Sequence, residues 1–166
     1  MPPEVLDGRQ LSKKIRDQIR VKTNILMEKG IVPELHVILA GEDPSSRIYA
    51  NMKEKAGKKV GVNVVLHKFD ENAGEDEIIP LIKQLNTDKS VNGIVVEQPL
   101  PSGMDTYSIT AEISPEKDVD GLNPVSMGYL MAGLPGFYSC TAGAVMRLLD
   151  GYGFEFKGAN TVIVNR

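Results

Sequence analysis

A serine, a tyrosine and a lysine stand at positions 46, 49 and 53. On a helix, spacings of three and four put all three side chains on one face. A hydroxyl, an aromatic ring and an amine then project together. A lysine near a helix start and against apolar surface has a poorly stabilised charge, which suits it to giving and taking a proton. The plainer alternative is an exposed lysine beside a half-buried tyrosine. A second polar group is Glu97-Gln98-Pro99-Leu100-Pro101. Its two prolines remove two backbone donors and stiffen the turn. The segment is either a rigid loop or a shaped wall with Glu97 and Gln98 facing a ligand. A third is the acidic turn Pro115-Glu-Lys-Asp-Val-Asp-Gly121. Asp118 and Asp120 fail the EF-hand pattern, because Gly121 comes too early and the later acidic ligands are missing, so no metal site is expected. The turn is either solvated, or it carries one buried aspartate that accepts a hydrogen bond from a ligand ring amine or amide. His36 and His67 both fall within strand-like runs and read as packed strand residues rather than ligands or bases.

Secondary elements must bring these groups together. Leu11, Ile15 and Ile19 recur every four residues, which predicts an amphipathic helix from Gln10 to Lys29, closed by Gly30. Leu35 to Ala40 is a short apolar run that reads as a buried strand. Pro44 opens a helix running to Val60 and stopped by Gly61, with Ile48, Met52, Ala56 and Val60 as the face expected to pack on the sheet. Val62 to His67 is a second strand, Asp76 to Leu85 a third helix and Gly93 to Val96 a third strand. Strands alternating with helices imply right-handed crossovers and a mainly parallel sheet, covered on both faces because the strands are apolar throughout. The expected fold is therefore a three-layer α/β/α domain. Beyond Pro101 the pattern loosens into short helices at 105–113 and 125–132. A clearer helix follows from Thr141, a plausible N-cap, to Leu149, with Gly151 as its stop. Thr161 to Val164 reads as one last strand, and Gly133 to Tyr138 as a linker. In parallel α/β sheets ligands bind beyond the carboxyl ends of the strands, where the serine–tyrosine–lysine face and the Glu97 loop fall.

Composition excludes several classes. The 166 residues carry 19 basic and 22 acidic side chains, a net charge of −3, with no basic stripe of the kind a nucleic-acid binder shows. No apolar run approaches the about 20 residues of a membrane helix, and no secretory signal is read at the start. One cysteine, Cys140, rules out an internal disulfide and suits a reducing compartment. Gly-x-Gly-x-x-Gly, the P-loop, His-Glu-x-x-His and Gly-x-Ser-x-Gly are all absent.

Together these segments resemble the bifunctional methylenetetrahydrofolate dehydrogenase/cyclohydrolase family. The resemblance starts at Asp7-Gly8 and runs through GEDPSSRIYANMK (41–53), VNGIVVEQPLP (91–101), PEKDVDG (115–121) and SCTAG (139–143). It implies oxidation of 5,10-methylenetetrahydrofolate with NADP or NAD, then hydrolysis of the methenyl product to 10-formyltetrahydrofolate. It makes Lys53 the proposed general acid/base, with Glu97 and Asp120 beside it as catalytic groups. Tyr49 would stack on the folate and Ser46 would lie near the lysine. Val96, Gln98 and Pro99 would line the folate pocket, and Asp120 would hydrogen-bond the pterin ring. A cytoplasmic homodimer is implied for the full-length enzyme, with an organellar matrix as the other possible location.

Three positions depart from the family pattern. Glu97 stands where most members carry glutamine. Ala142 replaces a proline common after the threonine. Val164-Asn165-Arg166 stands where the nucleotide loop begins, with Asn165 in place of its first glycine. The resemblance further implies a boundary near residue 150. Residues 1–150 would be the folate-binding catalytic domain, and 151–166 the start of a Rossmann-type NAD(P) domain of which only the first strand is present. The cofactor site is then expected to be incomplete, and the residues after Gly151 poorly held. The competing expectation is a short paralogue that binds folate, or dimerises with a full-length partner, without hydride transfer.

Overall fold

A computed structural model describes residues 5–164. Asp7 starts the first helix, α1 (Gly8–Met27), by accepting hydrogen bonds from the backbone N–H groups of Arg9 and Gln10. Strand β1 (Glu34–Ala40) follows. Helix α2 (Pro44–Val60) has Asp43 as N-cap, proline at its first position and Gly61 at its C-cap with φ 77°, a conformation that only glycine adopts without strain. Strand β2 (Asn63–Phe69), helix α3 (Glu75–Thr87) and strand β3 (Gly93–Val96) complete the regular part. Three shorter helices follow: α4 (Thr106–Ala111), α5 (Pro124–Ala132) and α6 (Cys140–Gly151).

The three strands form one parallel sheet in the order β2-β1-β3. Alternation along β1 sends its side chains to two cores. Ile38 and Ala40 meet Ile94 and Val96 of β3, together with Ile78, Ile82 and Leu85 of α3 and Ile109 of α4. Val37 and Leu39 meet Ala50 of α2 on the other face, with Leu35, Val64 and Leu66 around them. Helix α1 packs outside α2, and α6 packs on α1. The sheet is thus covered on both faces, as its apolar strands require.

Three expectations are corrected here. Ile48 and Met52 do not pack on the sheet: they are 59% and 57% exposed, and the inward face of α2 is Ser46, Ala50, Gly57 and Val60. Close approach selects small residues on that face, since a Cβ on Gly57 would overlap Val64 and sit 3.0 Å from the Val62 carbonyl. The cap of α6 is Ser139 rather than Thr141. Thr161–Val164 forms no strand, and Val162, Ile163 and Val164 are more than four-fifths exposed. No described strand lies beside them to supply the ladder that an extended segment needs. Residues 152–164 form no helix or strand and are exposed throughout, and Asn165 and Arg166 lie outside the described residues.

Candidate active site

Glu97 directly follows β3 and is 6% exposed. Its backbone N–H donates to the Ile38 carbonyl, 2.9 Å away, which prolongs the sheet by one residue and fixes the carboxylate at the carboxyl end of the strands. Lys53, in the third turn of α2, brings its Nζ to 2.6 Å from Glu97 Oε1. The lysine side chain is 35% exposed and the glutamate side chain 7%, so the pair has one buried and one open end. Lys53 lies further along the helix than a group at its start.

Ser46 is what holds this approach. It is 1% exposed, and its Oγ lies 2.9 Å from the Gln98 carbonyl and 3.0 Å from Asp43 Oδ1. The Asp43 carboxylate also accepts from the Ser46 N–H at 2.8 Å, and these bonds hold its pKa below the ordinary carboxylate range. Ser46 is thus spent on joining the start of α2 to the loop after β3. Tyr49, one turn before Lys53, is 59% exposed, which leaves its ring face open. Gln98 is exposed and accepts a hydrogen bond from the Thr106 hydroxyl at 3.3 Å. Pro99, joined by a cis peptide to Gln98, is exposed as well. The Val96 side chain is 2% exposed and belongs to the core, so it offers the site no more than its backbone.

The acidic turn separates its two aspartates. Asp118 is 1% exposed, and its carboxylate accepts from the N–H groups of Leu122 at 3.2 Å and Asn123 at 2.8 Å. Asn123 in turn caps α5 through Val125 N and donates to the carbonyls of Ala111 and Ile113. Asp118 is therefore structural, whereas Asp120 is half-buried. Gly121, at φ 66°, lets this turn press on the 138–139 backbone; a Cβ there would lie 2.6 Å from Tyr138 Cα. That contact seats Cys140, whose Sγ lies 3.5 Å from the Val119 carbonyl.

Cys140 belongs to the cluster although sequence spacing gave it no role. Desolvation, and then the hydrogen bond and charge of Asp120, push its thiol up to about 11, while the Lys53 charge pulls the other way. The thiol is thus within electrostatic reach of both Asp120 and Lys53. Its only sequence signal is the Ser139-Cys140-Thr141 segment, about twenty residues past the aspartate, and nothing in that spacing says that the two turns meet.

The cluster forms an open face rather than a closed cavity. A cavity of about 450 Å³ lies along the strand ends, lined by Gly41, Asp43, Glu71, Pro99 and Pro101. A larger one of about 760 Å³ runs along α1 from Asp7 to Val21 and reaches Tyr152, with neither Lys53 nor Glu97 in its lining. The chemistry of the side chains, not cavity size, marks the Lys53 face. No group of three or more His, Cys, Asp or Glu among the described residues is arranged to hold a metal ion.

Fold and site together define a parallel α/β domain that holds a lysine–carboxylate pair at its strand ends, with an open tyrosine one helical turn from the lysine. Residues 6–120 match the tetrahydrofolate dehydrogenase/cyclohydrolase catalytic domain, and the chain belongs to that family. It is 42% identical over 163 residues to the bifunctional protein FolD of Campylobacter concisus, and 43% identical over 166 residues to that of Ligilactobacillus salivarius. These matches cover 98% and 100% of this chain, which spans 58% of the length of each relative. Among solved structures, the bifunctional FolD enzyme of Campylobacter jejuni superposes with a TM-score of 0.88 at 41% identity, covering 90% of this chain and 54% of that one. The Trypanosoma brucei enzyme, complexed with NADP cofactor and inhibitor, gives 0.89 at 32% identity, covering 95% and 55%.

Proposed function

We propose that this chain is the folate-binding catalytic part of a methylenetetrahydrofolate dehydrogenase/methenyltetrahydrofolate cyclohydrolase. The observation that carries this reading is the Lys53–Glu97 pair, 2.6 Å apart at the strand ends, in a chain of that family. The whole enzyme oxidises 5,10-methylenetetrahydrofolate to the methenyl cation, with NADP or NAD as hydride acceptor. Water then adds to the methenyl carbon, and ring opening gives 10-formyltetrahydrofolate. Lys53 exchanges the proton that water addition and ring opening require. Glu97 holds the lysine amine in place through their 2.6 Å contact. Tyr49 stacks on the folate ring, Asp120 accepts a hydrogen bond from a pterin N–H, and Gln98 and Pro99 border the substrate. Ser46 acts by positioning these groups rather than by touching the ligand.

The described residues do not fit a dinucleotide. They include no glycine-rich turn between a strand and a helix, the fit such a cofactor needs, and Ile163 and Val164 stand exposed without a ladder. We assign residues 1–150 to the folate domain and 151–166 to the start of the nucleotide domain, a division supported by the end of α6 at Gly151. A cytoplasmic homodimer is proposed for the whole enzyme. No described helix is long and apolar enough to cross a membrane.

The hydrolytic half needs no nucleotide, so it can be measured on this chain as loss of 5,10-methenyltetrahydrofolate. Lys53→Met should lower the rate by about 10²- to 10⁴-fold, the usual worth of a positioned acid–base group. It should also cost about 1–3 kcal/mol of stability by leaving buried Glu97 without its partner. A Lys53→Met chain that hydrolyses the substrate as fast as the parent would contradict the assignment. Folate binding without turnover by the parent would favour the non-catalytic paralogue instead.

A further inference from the structure

On the sheet face opposite α2, two histidines that the folate site does not use are in contact. His36 of β1 and His67 of β2 stack with ring centroids 4.9 Å apart and planes 23° from parallel. His36 Nδ1 lies 2.7 Å from His67 Nε2, and His36 Nε2 lies 2.7 Å from Glu34 Oε1. Asn63 Nδ2 donates to the other Glu34 oxygen. His36 is 7% exposed, so its ring nitrogens have these partners in place of water. The result is one continuous hydrogen-bonded chain from Glu34 through His36 to His67, and it ties β2, an outer strand of the sheet, to β1.

Each contact needs one hydrogen between its two atoms. With both rings neutral, one arrangement fits: His67 Nε2–H donates to His36 Nδ1, and His36 Nε2–H donates to the Glu34 carboxylate. With one added proton, another fits: the His36 imidazolium donates to both Glu34 and His67 Nε2, and His67 keeps its hydrogen on Nδ1. With two added protons none fits, because two cationic N–H groups then face each other across the shared contact. We propose that the Glu34–His36–His67 chain is a proton-counting latch on β2, which takes up a first proton by switching the His67 tautomer and opens the strand edge on the second.

Glu34 and Asp88 are the carboxylates that sense a charge on His36, and Lys117 offsets Asp88. Asn63 and Asn92 are the neutral groups that fix Glu34, through its side chain and its backbone N–H. Desolvation, and then a charge on His36, hold His67 below its ordinary 6.5, while the His36 bond holds Glu34 below its ordinary 4.5. The sign follows from linkage. His67 contributes stability that is complete above its unfolded value and is lost as pH falls through its lower folded value. Glu34 does the same in a more acidic window.

Nitrogen-resolved NMR of the imidazoles in the whole chain, between about pH 8 and about pH 5, tests the proposal. The expected result is a coupled, two-step titration. The first step should move the His67 hydrogen from Nε2 to Nδ1 with β2 amides still protected from exchange, and protection should fall in the second. Two independent single-step curves, or a His67 that keeps Nε2–H through the first step, would overturn it. His67→Gln can donate or accept but cannot carry charge, so it should keep β2 protected at the pH where the parent opens. Opening at the same pH as the parent would equally overturn the latch. Should that variant fail to fold, the titration of the unaltered chain decides alone.

Discussion

Lys53 and Glu97 show how a single residue choice sets the character of a site. A buried carboxylate 2.6 Å from an amine couples any proton the lysine gives or takes to the charge of Glu97. Glu97→Gln keeps the shape and a hydrogen-bond acceptor but removes the charge. It should change the pH–rate profile of methenyltetrahydrofolate hydrolysis, and a profile identical to the parent's would sink this view of Glu97. Cys140 gives an independent reading of the same cluster. A thiol raised from 9.0 to about 11 has about 100-fold less thiolate at neutral pH, and the thiolate is the reactive form. Exposed Cys140 should therefore alkylate slowly, and faster in Asp120→Asn; labelling at the rate of an ordinary exposed thiol would remove Asp120 from its neighbourhood. That Lys53 and Glu97 stand side by side was legible from the resemblance. That Ser46 is buried and spent on the Gln98 carbonyl was not, because spacing gives the face of a helix and not its depth.

At the scale of elements, α2 is the part on which the site depends. Its ends were readable, since Pro44 and Gly61 are direct backbone signals. Its inward face was misread, because apolar periodicity looks for large residues where close packing on β1 and β2 demanded small ones. Ala50 and Gly57 let the helix approach, and the same approach carries Lys53 to Glu97. Gly57→Ala should cost about 1–3 kcal/mol by overpacking against Val64, and lower hydrolysis more than that loss of folded protein explains. Denaturant unfolding together with kcat checks both parts, and a Gly57→Ala chain as stable and active as the parent would show that the packing tolerates a methyl group. The acidic turn was half legible. The choice between a solvated turn and a buried aspartate resolves into Asp118 buried and Asp120 half-buried, a distinction set by the backbone groups of Leu122 and Asn123 that follow.

For the whole molecule, the alternation of helices and strands sufficed to give a parallel sheet covered on both faces. The order β2-β1-β3 and the meeting of the 119–121 and 138–140 turns come from contacts distant in sequence, which no local pattern reports. The expected strand at Thr161–Val164 failed for the complementary reason: β-branched residues supply propensity, but a strand is defined by its neighbour. The central claim is that the face built by Tyr49, Lys53, Glu97 and Asp120 receives the folate. The most direct test is titration of this chain with a tetrahydrofolate analogue while backbone and side-chain NMR signals are followed. The account predicts saturable shifts at those four residues and at Gln98 and Pro99, lost in Lys53→Met and Asp120→Ala. Shifts confined to the cavity along α1, or no saturable binding at all, would contradict it.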